Sequence, residues 1–305
     1  MSYSSTEKIE FRKIRSFSDH INATAMFTRQ NIVPMIKILM QVAGVYIAVG
    51  LVLLIMCFYF GLVDLMNLTD INGIENLNWS MIGGLSFLAI VMFIIGSIFY
   101  TAAGYRYILE YITQDNYNSL TISDIKRYLG RDSKIVFFSY MGLFLMFFAS
   151  MFIAIIPFLG ALTVFFGWIY LSIPISFIFL LRIHEKIGFS DAIKRCMYLI
   201  KDHWWETFGL YLVTALLLYS ISAVPSLFSN FGFQIGSMLD SEAIGKLLFG
   251  VFYVISILVS LLTSVVFSIL IAFRYFSLVE LKEGVNMMER IQDIGLGETT
   301  ENDWR

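Results

Sequence analysis

The chain has 305 residues, of which 58% are hydrophobic and only 14% are charged, and its formal net charge at pH 7 is −2. Soluble domains carry about 25% charged residues, so this composition excludes a soluble globular protein and a disordered one. A nucleic-acid partner would need a concentrated basic surface, which the charge balance does not provide. With a mean hydropathy of +0.76, the sequence predicts an integral membrane protein surrounded by a lipid bilayer.

Uncharged apolar runs recur along the chain, and a spanning helix needs about 20 mainly apolar residues. We predict an all-α polytopic membrane bundle of six transmembrane helices, at about residues 38–63, 81–105, 135–156, 159–181, 207–228 and 247–273. The third and fourth spans come from one long uncharged run. We divide this run at Pro157 and Gly160, because proline and glycine punctuate turns.

The positions of lysine and arginine support this arrangement, since cytoplasmic loops are enriched in both residues. Every one of them except Lys246 falls in segments on one predicted side of the membrane. We therefore predict that both termini face the cytoplasm, in the inner membrane of a bacterium. The predicted domains are a cytoplasmic amphipathic segment (1–37), the transmembrane domain (38–279), and a cytoplasmic amphipathic helix with a tail (280–305).

Three polar segments share a short pattern ahead of a pair of predicted spans: Phe17-Ser18-Asp19, Phe189-Ser190-Asp191 and the looser Ile122-Ser123-Asp124. In each, serine is a plausible helix N-cap and the adjacent acid suits the positive end of a helix. The pattern predicts three repeats of one unit, a surface helix followed by a membrane hairpin. Coincidence is the alternative, because Ser-Asp is a common helix start.

The surface helix of the third unit is the clearest of the three. Apolar residues recur at helical spacing from Phe189 to Ile200, so this helix is predicted to lie in the headgroup layer of the membrane. Trp204 and Trp205 come just before the fifth span, and Arg274 directly follows the sixth. We predict all three as interface anchors, because tryptophan prefers this boundary and long cationic side chains can reach it. Docking of a partner is the alternative for this helix and its tryptophans.

The strongest candidate for a ligand site is a stripe of serines in the sixth span, spaced four residues apart: Ser256, Ser260, Ser264 and Ser268. Tyr100 on the second span, flanked by Gly96 and Gly104, is a candidate for the opposing face. Small residues let helices approach closely, and hydroxyls can bond across the contact. The stripe therefore has two interpretations, helix packing or a polar groove for a ligand.

The sequence carries no Gly-x-Ser-x-Gly, His-Glu-x-x-His or Walker motif. Of the histidines His20, His184 and His203, only the last has a carboxylate at helical spacing, Glu206, and no third ligand is near in sequence. An ionisable side chain near the centre of a span is the usual mark of an ion pathway. The predicted spans have no such side chain at their centres. We predict no enzymatic activity, no cofactor and no bound metal.

The residues from Phe189 to Arg195, through Trp204-Trp205 and into an apolar hairpin, resemble a group of uncharacterised bacterial six-helix membrane proteins. That group is similar to the membrane domain attached to some glycerophosphodiester phosphodiesterases. The segments Tyr275 to Gly284 and Met288 to Ile291 resemble the ends of such proteins from Bacteroidetes. The resemblance implies a membrane fold and location. It does not imply the phosphodiesterase activity, because this sequence has no counterpart of the catalytic barrel.

These features favour a non-catalytic accessory or scaffold subunit with a membrane protein partner. The alternative is a carrier or permease for a lipid or another apolar small molecule. The serine stripe favours that alternative, as do Pro174 and Pro225, which permit breaks within helices. An intramembrane enzyme is the least favoured hypothesis, because the sequence offers no acid–base pair within the spans.

Overall fold

A computed structural model of the chain describes residues 8–57, 79–114, 120–156, 159–238 and 242–284. All regular secondary structure in these ranges is helical, which confirms the predicted all-α helical bundle. The helices in chain order are α1 (Phe17–Cys57), α2 (Trp79–Thr113), α3 (Ile122–Ala154), α4 (Leu159–Ile175), α5 (Ile178–Glu185), α6 (Phe189–Ile200), α7 (Trp204–Met238) and α8 (Glu242–Glu283).

Within the described ranges, six helical stretches are long and apolar enough to cross a membrane. They are α1, α2, α3, α4 together with α5, α7 and α8, so the predicted number of spans is confirmed. The chain is therefore a multi-pass membrane protein. The long apolar run divides as predicted, since α3 ends at Ala154 and α4 begins at Leu159.

The first two repeat units have no separate surface helix, and that prediction is wrong for them. α1 begins at Phe17 and passes the predicted boundary at residue 38 without a break, and α3 begins at Ile122 in the same way. Only the third unit has a surface helix, because the chain breaks at Asp202, whose φ is 72°. Residues 58–63 of the predicted first span, and all but the start of the predicted helix and tail at 280–305, lie outside the described residues.

The starts of α1 and α3 are capped two residues before the predicted serine. The hydroxyl of Ser16 donates to the Asp19 carboxylate at 2.6 Å, and the Ser16 backbone N–H donates to it at 3.3 Å. The Thr121 hydroxyl and backbone N–H donate to Asp124 at 2.7 and 2.9 Å. At the start of α6 the equivalent residue is Gly188, which has no side chain. The acid of each of the first two repeats is thus the partner of the cap in a capping box.

We expect Asp124→Ala to lower the free energy of unfolding by about 1 kcal/mol and Asp19→Ala to lower it as well, because each removes the carboxylate that holds the cap. Thermal unfolding of the purified protein in detergent measures the effect. Asp191→Ala is the matched control and should cost less, since Gly188 offers no cap side chain. An equal cost at all three positions would show that the acids act only through the helix dipole.

The spans form three antiparallel hairpins: α1 with α2, α3 with α4 and α5, and α7 with α8. Glycines allow close contact in the first hairpin, where a Cβ on Gly96 would lie 3.3 Å from the side chain of Ile47. Gly104 faces Met35 and Leu39 of α1. Both glycines therefore pack against α1, and the expectation that they oppose the serine stripe of α8 is wrong.

The hairpins pack together mainly at one end of the bundle, which we call the closed end. Its largest fully buried side chains are aromatic and come from several helices and the N-terminal segment: Phe11, Phe27, Tyr107, Tyr111, Phe177, Phe273, Tyr275 and Phe276. Away from this end, packing is sparse, and no residue of α3 after Ser139 is buried. The outer halves of the hairpins therefore behave as apolar arms attached to a compact base.

Residues 8–16 complete the closed end. Phe11 stacks on Phe273 of α8 with a ring-centroid distance of 4.1 Å. The Lys8 ammonium donates to the carbonyls of Ile112 and Gln114 at 3.0 and 2.9 Å, so a cation caps the C-terminal end of α2. The backbone N–H of Arg15 donates to Ser277 Oγ at 3.2 Å. This short segment joins α2 to α8.

The apolar face of α6 is buried against protein, so this face does not contact lipid as it would in a helix that lies on the membrane. Ala192, Cys196, Leu199 and Ile200 are all 0–1% exposed. They face a surface formed mainly by α4, α5 and α8. An amphipathic pattern shows that a helix covers something apolar, but the covered surface can be protein or lipid.

Candidate functional site

The serine stripe is not buried in a tight helix contact along its length. Ser260 and Ser264 are exposed, and Ser256 and Ser268 are partly buried. The hydroxyls of Ser260, Ser264 and Ser268 donate to carbonyls of their own helix at 2.7–2.9 Å. Such bonds satisfy a hydroxyl in an apolar environment without a partner from another helix.

Tyr100 is the residue that the structure brings to this stripe. Its hydroxyl donates to the carbonyl of Leu261 at 2.6 Å and lies beside Ser264. The hydroxyls of Tyr211 and Ser176 pair with each other at 2.9 Å. Both contacts join different hairpins. These hydroxyls can hydrogen-bond a neutral polar group.

A buried ion pair joins the first hairpin to the second. Arg106 Nε donates to the carboxylate of Asp132 at 2.6 Å, and the two side chains are only 9% and 0% exposed. The Arg106 guanidinium also stacks 4.5 Å from the ring centroid of Tyr128. Arg131 contacts the other oxygen of Asp132 at 3.0 Å but remains 42% exposed. Arg106 therefore needs Asp132 to compensate its buried charge, whereas water can solvate much of the charge of Arg131.

Arg274 makes the corresponding contact inside the third hairpin. Its guanidinium binds both carboxylate oxygens of Glu206, at 3.2 and 2.9 Å, and the Thr207 hydroxyl at 2.9 Å. The side chain is 3% exposed, so it is buried within the bundle. His203 lies 3.5 Å from Glu206, as its spacing predicts. The described residues hold no group of three side chains that could ligate a metal.

Arg182 is a third member of this set that the sequence analysis missed. It donates to Ser139 Oγ at 2.6 Å and to the Ile135 carbonyl at 3.3 Å. Arg106, Arg182 and Arg274 each lie near the end of the second helix of a hairpin, and each has apolar neighbours in sequence. An arginine with apolar neighbours near the end of each hairpin was the sequence signal that could have identified Arg182. Its recurrence supports the threefold repeat.

A third network attaches α6 to the bundle. Glu185 accepts from Arg195 Nε at 3.2 Å and from the Tyr275 hydroxyl at 2.8 Å. Arg195 also pairs with Glu283 at the end of α8, and this hydrogen bond raises the pKa of Arg195 above its ordinary value. Together with the contacts of Arg106, Arg182 and Arg274, this network joins the helices of the closed end.

The two predicted tryptophan anchors have different surroundings. Trp204 stacks between Tyr170 and Phe208, at centroid distances of 5.5 and 5.1 Å, and its indole N–H donates to the Tyr170 carbonyl at 3.0 Å. Trp205 is 78% exposed. With Phe166, these side chains line part of a shallow apolar cavity of about 330 Å³. Of the pair, Trp205 is the one placed to enter lipid.

The burial of Cys196 provides a test of how α6 is docked. Cys196 is 1% exposed, and burial raises its pKa to about 12. Because the thiolate is the reactive form, we expect almost no maleimide labelling of the folded protein at pH 8. Arg195→Ala should increase the labelling rate by about tenfold or more, since it removes both ion pairs that dock the helix.

This labelling experiment is best made in a Cys57→Ser background, so that only one thiol is counted. Lys194→Ala is the matched control, because Lys194 lies on the exposed face of the same helix and its pair with Asp191 is exposed. Rapid labelling of the protein with Arg195 intact would contradict the docked position of α6.

Comparisons with known proteins add no identity. No family model matches the sequence, and no curated protein or solved structure matches the chain significantly. The resemblance to the membrane domain of glycerophosphodiester phosphodiesterases therefore stays a prediction.

Proposed function

We propose that this protein is a non-catalytic scaffold or accessory subunit of a membrane complex. The observation that supports this function is its uneven packing. The closed end is fixed by the networks around Arg106, Arg182 and Arg274, whereas the outer halves of the hairpins expose their apolar side chains. A fixed base with projecting arms holds partner helices at defined positions.

The arm formed by α3 and α4 is the most exposed. Phe148 and Phe152 on α3, and Phe165 and Phe166 on α4, are between 56% and 63% exposed. Aromatic side chains bury a large area for little loss of conformational entropy, which suits a contact with helices of another protein. We propose this arm as the main partner surface.

The proposed setting is the inner membrane of a bacterium, with both termini in the cytoplasm. The basic residues of the described chain support this orientation, because all of them except Lys246 lie in and beside the closed end. Under the positive-inside rule, that end is the cytoplasmic one.

A carrier of a lipid or another apolar small molecule is the second candidate function. The exposed Ser260 and Ser264 favour it, because they lie on α8 near Tyr100, whose hydroxyl bonds the carbonyl of Leu261. A ligand with a neutral polar group would find hydroxyl partners there.

Native mass spectrometry of the protein, released gently from its own membrane, tests the two functions. The scaffold hypothesis predicts a protein partner in stoichiometric amount. Phe148→Ala combined with Phe152→Ala should release that partner, whereas Phe87→Ala, at an exposed site on α2, should retain it. A bound lipid or small molecule without a protein partner would contradict the scaffold function. Tyr100→Phe should then weaken retention of that ligand.

A further inference from the structure

We propose that the start of α3 carries a binding site for the phosphate of an anionic phospholipid, formed by Arg127, Arg131 and Lys134. All three side chains are exposed. Their spacing of four and three residues places them on one face of the helix. The site is independent of the choice between a scaffold and a carrier.

The depth of this site follows from the rest of the same helix face. At the same helical spacing, the face continues with Phe138, Met141 and Leu145, all exposed. In a helix that crosses the bilayer, these apolar side chains lie against acyl chains. A helix rises 1.5 Å per residue, so Lys134 and Arg131 lie about 6 and 10 Å below Phe138. That distance places the cations at the headgroups of the lipids that cover this face.

The two arginines are held in position by an aromatic ring. The guanidinium groups of Arg127 and Arg131 each lie 5.6 Å from the ring centroid of Tyr128. Cations over an aromatic face are attracted to it and lose part of their freedom before a ligand arrives. A phosphate therefore meets groups that are already oriented.

The acidic residues of α3 do not cancel this charge. Asp132 is fully buried, and its single negative charge is shared by two cations, Arg106 at 2.6 Å on one oxygen and Arg131 at 3.0 Å on the other. Asp124 is engaged by Thr121 at the helix start. Lys126 is exposed next to the site and adds to its positive charge. An excess of cations favours a headgroup with net negative charge over a zwitterionic one, which carries its own ammonium.

The full-length protein in detergent is titrated with phosphatidylglycerol or with phosphatidylcholine of the same acyl chains, and bound lipids are counted by native mass spectrometry. Each interfacial cation contributes about a fivefold preference, so we expect the three together to retain phosphatidylglycerol about 100-fold better. The variant Arg127→Gln, Arg131→Gln, Lys134→Gln should bind the two lipids within about twofold of each other.

The matched control removes the same charge elsewhere, with Lys13→Gln, Lys194→Gln and Lys201→Gln, all at exposed positions. It should keep the preference for phosphatidylglycerol, as should Arg127→Lys with Arg131→Lys, which retains both charges. If the triple variant fails to fold, Lys134→Gln alone should reduce the preference by about fivefold.

Three results would overturn the site. The first is equal retention of the two lipids by the unmodified protein. The second is an equal loss of preference in the control variant, which would indicate attraction to the whole charged end and not to α3. The third is displacement of the lipid by millimolar soluble glycerol phosphate, which would assign the cations to a free phosphate compound.

Discussion

Replacing Asp132 by alanine is expected to lower the free energy of unfolding by about 3–5 kcal/mol, because it leaves the Arg106 guanidinium buried without its main partner. The two side chains are 9% and 0% exposed, so water cannot replace the carboxylate. Glu110 lies 3.6 Å from Arg106 and compensates only part of the loss. The measurement is the melting temperature in detergent, together with the fraction that remains monodisperse after heating.

Arg131→Ala is the control for this prediction, because it removes the other cation on the same carboxylate. Arg131 is 42% exposed, and an exposed pair contributes at most about 1 kcal/mol. The double variant Arg106→Met, Asp132→Leu should recover most of the lost stability, since it removes both charges of the buried pair. If Asp132→Ala were tolerated as well as Arg131→Ala, the buried pair would not be what joins α2 to α3.

Phe273→Ala should lower the free energy of unfolding by about 3–5 kcal/mol, because it opens a cavity in the closed end. Phe273 is fully buried, stacks on Phe11 and meets Phe27 edge-on at 6.0 Å. The Arg15 guanidinium lies 4.9 Å from its ring centroid. Residues 8–16 should therefore become sensitive to protease along with the loss of stability, which limited proteolysis would detect.

Phe152→Ala is the matched substitution on an arm. Phe152 is 63% exposed on α3, and the same change there should alter the free energy of unfolding by less than about 0.5 kcal/mol. Equal effects of the two substitutions would mean that the arms are packed as tightly as the base, against the structure described here.

The six spans were predictable because a bilayer demands about 20 apolar residues in each, and the sequence provides six such runs. The helix starts at Phe17 and Ile122 were not predictable in that way. Hydropathy marks where apolar residues stop, whereas a helix continues until a cap or a break ends it. Ser16 and Thr121 provide such caps, and Asp202 provides such a break. The spacing of a capping box is present in the sequence, but the predicted caps, Ser18 and Ser123, lie two residues after the actual ones.

The candidate site was only partly predictable. Four-residue spacing correctly placed the serines on one face of α8, and Tyr100 does contact it. Residue spacing could not show that Ser260 and Ser264 remain exposed, because this depends on how the neighbouring helices pack. Similarly, the positions of Arg106 and Arg274 in the sequence suggested only residues at the ends of spans. The buried partner of Arg106 is 26 residues away, in the next hairpin. Long-range partners of this kind are fixed by tertiary packing, which periodicity does not report.

The contact between residues 8–16 and α8 affects how the protein is assembled during synthesis. Arg15 and Ser277 are 262 residues apart, so the contact joins nearly the first described residues to nearly the last. The ribosome delivers α1 long before α8, and domains form from the N-terminus onward during synthesis. The aromatic contacts of Phe11 and Phe27 with Phe273 therefore form only after α8 has been synthesised. A truncated product would present these aromatic rings at the membrane surface, where chaperones and proteases recognise unfinished chains.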